Sequence, residues 1–199
     1  MSRKADKQNI LNRFASKGIF PFQMAFTLLI PLRNIFLSPA QLAGRLELNT
    51  DSVVMEVGPG PGYFSPRIAG IISKGRLILA DIQPEMLEYA RKRMERKGLG
   101  NVGYYRCSGE RFEFPESTFD RIFMVTVIGE VENKDIYMSE FYRILKPGGI
   151  LSVTELAGDP DKLTISEVRK LAESHAFSYY RQYGNEKNYT VNFKKIQRI

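Results

Sequence analysis

From Asp51 onward the chain alternates short apolar runs with amphipathic stretches. Ser52–Val57 (SVVMEV) is a continuous apolar run that ends at glycines, the pattern of a strand buried on both faces. A helix is predicted over Tyr63–Ile72, and Arg76–Ile82 (RLILADI) reads as a second strand. Pro84 opens a helix to Lys97 that sets Met86, Leu87, Ala90 and Met94 on one face and basic residues on the other. Asn101–Cys107 reads as the third strand, and Phe119–Ile128 contains the fourth. Asn133–Leu145 is amphipathic and stops at Lys146-Pro147-Gly148-Gly149, a strong helix terminator. Ile150–Leu156 follows as a fifth strand, and Thr164–His175 as a helix. Two alternating runs, Phe177–Tyr183 and Tyr189–Ile196, then flank Gly184-Asn185, which predicts an antiparallel hairpin turning at that dipeptide.

Strands and helices in alternation, joined by short connections, imply an α/β fold: a doubly wound, Rossmann-like, mostly parallel seven-stranded sheet closed by the antiparallel C-terminal hairpin. Upstream lies the longest apolar stretch, Ile19–Leu32 (IFPFQMAFTLLIPL), containing Pro21 and Pro31. It is too short to span a bilayer as a helix, and no small-residue cleavage site follows it. It reads as a short apolar helix, serving either as a lid packed over the domain or as a wall for an apolar substrate or a shallow membrane contact. Ser38-Pro39 opens a further helix to about Leu48, with the serine as cap and the proline in its first turn. Residues 1–50 are thus read as an N-terminal helical cap on a domain spanning 51–199.

Composition narrows the chemistry. At 199 residues, with 43% hydrophobic and 26% charged, the chain buries enough surface to fold without disulfides or a structural metal, and it is not a disordered sequence. Cys107 is the single cysteine and His175 the single histidine, so multi-cysteine clusters are excluded, Cys/His zinc sites and Ser-His-Asp arrangements are disfavoured, and no metal is predicted. The formal charge of +7 attracts anions such as nucleic acid, acidic membranes or phosphorylated small molecules. Much of the excess sits at the ends, in Arg3, Lys4, Lys7, Arg13 and Lys17 and again in Arg181, Lys187, Lys194, Lys195 and Arg198. Basic termini are common on soluble proteins, so a nucleic-acid partner is not favoured on charge alone. A lone thiol and the lack of an export signal point to the cytoplasm.

The segment with the most chemical content is Val53–Ser65, VVMEVGPGPGYFS. Gly58, Gly60 and Gly62 fall directly after a strand and directly before a helix, where glycines permit a tight turn and let a ligand approach bare backbone. Glu56 precedes them on the strand. Asp81 ends the next strand, 19 residues after Gly62, where a carboxylate can accept both hydroxyls of a ribose. The plainer alternative, a cap for the helix that begins at Pro84, is less favoured than ribose contact. Dinucleotide sites favour G-x-G-x-x-G, whereas this chain has E-x-G-x-G-x-G with prolines at 59 and 61.

That pattern resembles the first motif of the class I S-adenosylmethionine-dependent methyltransferases. LILADIQPEML is similar to their second motif, ERFEFPESTFDRI to the segment entering the fourth strand, and LKPGGILSVTE to the turn into the fifth, all in the family's order from Asp51 to the C-terminus. The resemblance implies S-adenosylmethionine as cofactor. Gly58, Gly60 and Gly62 would lie against its methionine half. Glu56 would hold the loop and face its ammonium, Asp81 would bind the ribose, and Ile82 would pack on the adenine. Ser108 stands where many members carry an aspartate for the adenine amino group; Gly109 and Glu110 would add backbone or side-chain contacts, unless Glu110 is a solvated acid at a helix start. LKPGG is read as structural.

Methyl transfer at a sulfonium carbon needs alignment more than a dedicated base. Glu130, in VIGEVEN after the fourth strand, is the candidate catalytic carboxylate, because that strand end faces the transferring methyl in the family; the alternative is an ordinary acid near the next helix start. His175 reads as a packing or capping residue at a helix end, and Cys107 as a buried, inert thiol. The expected function is methylation of a small-molecule or lipid-like acceptor, as in the quinone- and sterol-type branch of the family. The run Thr126-Val127-Ile128-Gly129 stands where amino-methylating nucleic-acid enzymes carry N/D-P-P-Y, and no added RNA-binding domain is seen. An RNA or protein methyltransferase, or a non-catalytic module that only binds the cofactor, are the alternatives.

Overall fold

A computed structural model describes residues 37–108 and 111–196. The apolar stretch Ile19–Leu32 and the pair Gly109 and Glu110 lie outside the described residues. Within them run α1 (Pro39–Arg45), β1 (Val53–Val57), α2 (Ser65–Ile71), β2 (Arg76–Asp81), α3 (Pro84–Arg96), β3 (Val102–Arg106), β4 (Phe119–Val125), α4 (Lys134–Ile144), β5 (Leu145–Glu155), α5 (Ile165–Ser174), β6 (Phe177–Asn185) and β7 (Asn188–Lys195). The seven strands form one sheet in the order β3-β2-β1-β4-β5-β7-β6. β1 pairs in parallel with both β2 and β4, and β5 in parallel with β4. β7 is antiparallel to both its neighbours, β5 and β6.

Side-chain alternation along the central strands sorts the core into two layers. Val54, Leu77, Leu79 and Phe123 pack with Leu42 of α1, Leu46 just past its end, Ile68 of α2 and Leu87 of α3. Met55, Ile78, Met124 and Val153 pack on the other face with Met138, Phe141 and Val168 from α4 and α5. Helices on both faces make the sheet doubly wound, as its strand pattern predicts. Ser38 caps α1 as expected, its hydroxyl accepting from the Gln41 N–H at 3.1 Å while the Gln41 side chain accepts from Ser38 N–H at 2.9 Å. The helix is shorter than predicted. Past Arg45 its carbonyls turn to the sheet, where the Arg121 guanidinium donates to Leu46 O at 2.7 Å and Glu47 O at 2.8 Å.

Two boundaries differ from expectation. β5 begins at Leu145 rather than Ile150, because Leu145 is already extended and pairs with Phe119; Lys146–Gly149 then bulge outward before Ile150 rejoins opposite Arg121. The hairpin turns at Glu186-Lys187, two residues later than predicted. Gly184 instead lies inside β6 opposite Tyr189, at φ +81°, where a Cβ would collide with the Asn188 carbonyl. Asn185 closes the turn by accepting from Lys187 N–H at 3.0 Å. Glycine and asparagine serve the hairpin as a left-handed corner and a side-chain cap, which reads in sequence like the turn itself.

Phe123 is fully buried at the centre of β4. Phe123→Ala is expected to destabilise the fold by about 3–5 kcal/mol through lost burial and a residual cavity, measurable as a lower urea midpoint with an unchanged denaturant slope.

Candidate active site

Parallel pairing brings the carboxyl ends of β1, β2 and β4 to one edge, with Val57 level with Ala80 on one side and Met124 on the other. The loop after β1 crosses over this edge, held by Gly58 N–H donating to Ala80 O at 2.8 Å. Gly58, Gly60 and Gly62 adopt φ of +63°, +52° and +76°, left-handed conformations that side chains rarely take. The intervening Pro59 and Pro61 stiffen the corners. A Cβ on Gly58 would come within 2.5 Å of the Val127 side chain. Gly62 has a different role: its N–H donates to Pro59 O, and a Cβ there would press on Met94 and Ala90 of α3. Of the three glycines, Gly58 and Gly60 line the cavity below, whereas Gly62 does not.

Two acids lie beneath the loop. Glu56 is 3% exposed and accepts from the Ser65 hydroxyl, at the start of α2, at 2.6 Å. Burial pushes its carboxyl up to about 8, the Ser65 hydrogen bond opposes that shift, and neighbouring Asp81 adds to it. Burial thus favours its protonated form, and the bond to Ser65 joins the end of β1 to the start of α2 across the loop. Asp81 is 8% exposed. It accepts from Gln83 N–H at 2.9 Å, with the Gly60 and Ile82 N–H groups also donating to it. Burial raises its proton affinity and those three amides oppose the rise. It thereby holds the backbone of Gln83, the N-cap of α3, whose own side chain makes no capping bond.

These groups enclose a cavity of about 450 Å³. One wall is Glu56, Gly58, Gly60, Asp81, Ile82 and Ser108; the facing wall comes from the end of β4 and the segment leading to α4, with Val127, Glu130, Val131 and Tyr137. Ile82 is 37% exposed, an apolar face presented to the cavity. Cys107 also reaches the lining, and burial pushes its thiol up to about 12, so it is a wall group and not a nucleophile. His175 ends α5, with Nδ1 2.9 Å from Leu171 O and Nε2 3.4 Å from Asp135, a helix-end residue remote from the cavity lining.

Sequence reasoning missed Thr126, Tyr137 and Glu155. Thr126 lines the cavity at φ +56°, a strained conformation for a β-branched residue, and nothing in its residue type signals that. Tyr137 sits on α4 among core residues, so its helical spacing reads as packing. Glu155 is fully buried at the tip of β5, and neither carboxyl oxygen has a hydrogen-bond partner. Its signal was available: an acid terminates β5 just as Asp81 closes β2, with Glu56 one residue short of the end of β1.

The donor set suits a cofactor with a nucleoside half and an amino-acid half. Bare backbone at Gly58 and Gly60, a buried carboxylate at Asp81 and an apolar platform at Ile82 fall along one wall of a cavity of cofactor size. Residues 54–149 match a family model described as "Methyltransferase domain". The "Ubiquinone/menaquinone biosynthesis C-methyltransferase UbiE" of Hydrogenovibrio crunogenus is 33% identical over 135 residues, covering 67% of this chain and 52% of that protein. The protein of the same name from Cellvibrio japonicus is 30% identical over 161 residues, covering 80% of this chain and 59% of its own length. The chain thus spans little more than half of these relatives. Among solved structures, a SAM-dependent methyltransferase from Aquifex aeolicus superposes with a TM-score of 0.84 at 22% identity, over 89% of this chain and 100% of that one. Residues 54–149 thus carry a methyltransferase domain over the glycine loop and central strands, in the fold that the chain shares with a solved S-adenosylmethionine-dependent methyltransferase.

Proposed function

We propose that this protein transfers the methyl group of S-adenosylmethionine to a quinone-like, lipid-like small molecule, at a ring carbon. The observation that carries the reading is the cavity lining: bare backbone at Gly58 and Gly60 with the Asp81 carboxylate, together with a segment between β4 and α4 that presents Val127, Val131 and Tyr137 beside the acids Glu130 and Glu132. The names of the relatives supply the acceptor class. Bound in this cavity, S-adenosylmethionine supplies a methyl group on an electrophilic sulfonium.

The chain's own residues then hold and orient. Asp81 accepts the ribose hydroxyls, Ile82 packs against the adenine, and Ser108 hydrogen-bonds its edge, with Gly109 and Glu110 completing that side. Gly58 and Gly60 lie against the methionine half, with Gly62 shaping the loop. Glu56 faces the ammonium, and a positive charge there would draw off its proton. Val127, Val131 and Tyr137 offer the acceptor an apolar surface, and Glu130 takes the proton that the acceptor sheds. In this reading residues 1–50 cap the domain 51–199, and Ile19–Leu32 walls the acceptor or touches a membrane surface. No helix among the described residues is long and apolar enough to cross a membrane, and we place the activity in the cytoplasm.

The direct test incubates the protein with S-adenosylmethionine and a prenylated hydroquinone, then follows the acceptor by mass spectrometry. Gain of one ring methyl is expected; cofactor binding without methylation of any ring acceptor would remove the substrate assignment. Asp81→Ala is expected to weaken cofactor binding by about 1–3 kcal/mol, a loss on the scale of hydrogen bonds to a charged group, read by calorimetry. Glu56 holds a proton in the fold that it loses on unfolding between pH 4.5 and about 8, so it lowers stability as pH rises through that window. Thermal melts of Glu56→Gln without cofactor should therefore decline less steeply from pH 5 to 8 than those of the parent.

A further inference from the structure

The cations of α3 divide into two sets. Arg91 and Lys92 share Glu88 at 3.5 and 3.4 Å, Arg91 also lies over the Tyr104 ring, and Arg96 Nε donates to Lys92 O at 3.2 Å. Arg93 and Lys97, four residues apart and so on one face of the helix, instead line a groove of about 480 Å³ together with Arg67 of α2. No acidic residue lines that groove. Among the described residues these three side chains form no ion pair and no hydrogen bond.

Arg93 is half-buried. Its Nε–H is shut off from solvent with no acceptor, which leaves the Nη atoms as the part of the guanidinium that a ligand can reach. A partly desolvated cation without a counter-charge is costly, and a second cation one turn away on the same face adds repulsion. An anion seated in the groove relieves both. Pro39, Pro66 and Leu99 set apolar surface beside the cations. Tyr63, edge-on to Phe64 with ring centroids 4.9 Å apart, lines both this groove and the cavity at the glycine loop, and otherwise the two have no lining residue in common.

We propose that the groove between α2 and α3 is a second binding site, one that takes a phosphoryl group carried on an apolar stem. Three positive charges in one concavity call for a ligand with more than a single negative charge. A phosphate ester carries about two at neutral pH, which a carboxylate does not, and planar guanidinium groups match its oxygens in pairs. Arg93 and Arg67 hold the phosphoryl oxygens, Lys97 adds a compact charge, and Pro39, Pro66 and Leu99 cover the first carbons of the stem. The same chemistry is offered by a soluble phosphate ester and by a lipid headgroup. Because the site stands apart from the glycine-loop cavity, it holds or fails independently of the methyl-transfer reading.

Calorimetric titration of the full chain with inorganic pyrophosphate tests the site, and NMR of the arginine Nε–H groups locates it. Binding should saturate and shift the Arg93 resonance. Arg93→Gln and Lys97→Gln should each weaken binding by about tenfold, the loss that goes with one charge-assisted hydrogen bond. The Lys97 side chain is exposed, so that variant keeps the test valid if Arg93→Gln folds poorly. Arg91→Gln removes the same charge from the same helix outside the groove and should leave affinity unchanged. Absence of saturable binding, or equal weakening by Arg91→Gln, overturns the proposal. Flotation with phosphatidylcholine vesicles containing phosphatidic acid then separates the sources. Capture that pyrophosphate competes away and Lys97→Gln abolishes supports a lipid headgroup, whereas pyrophosphate binding without capture supports a soluble phosphate ester.

Discussion

The site depends on one hydrogen bond across the sheet edge, from Gly58 N–H to Ala80 O. It draws the loop after β1 over the tip of β2, where the main chain covers two acids. Side chains could not fill this role. A Cβ on Gly58 would strike Val127, and the left-handed corners at all three glycines would be strained by any larger residue. Backbone amides take the place of side chains: Gly60 and Ile82 donate to Asp81, so the carboxylate is both a brace for the loop and a ready acceptor for a ligand's hydroxyls.

The strand tips also set the electrostatics. β1, β2 and β5 each carry a buried acid at or next to their last residue, and each acid meets its burial differently. Glu56 has a hydroxyl partner, Asp81 has backbone amides, and Glu155 has none. Amides favour the charged form, whereas burial without partners favours the neutral one. One sheet edge can thus hold a carboxylate suited to hydroxyl recognition a few strands from one that keeps its proton.

Most of the architecture was legible because the forces behind it are periodic. The central strands read as apolar runs since both faces are covered, and α3 announces itself by Met86, Leu87, Ala90 and Met94 at helical spacing. The glycine loop and Asp81 were legible because their residue types answer to backbone geometry and charge. What escaped was set by tertiary contact. Thr126 takes its conformation from a bond to β5, Gly184 owes its place to a clash with Asn188, and Leu145 joins the sheet because Phe119 awaits it. Glu155 escapes because it closes LKPGGILSVTE, a segment whose resemblance points only to the turn into the fifth strand. Its last residue belongs to a recurring pattern of acids at strand tips.

The placing of β7 between β5 and β6 constrains how the molecule is assembled. As the ribosome delivers the chain, β1, β2 and β4 can pair as soon as they emerge, but β5 keeps a bare edge through the synthesis of α5 and β6. β6 has no place in the sheet until its successor arrives. β7 then pairs with β5 and β6 in either order, and the long-range pairing to β5 slows folding. Until docking, the Leu151 and Val153 side of the core is a surface for chaperones or for misplaced strands of other chains.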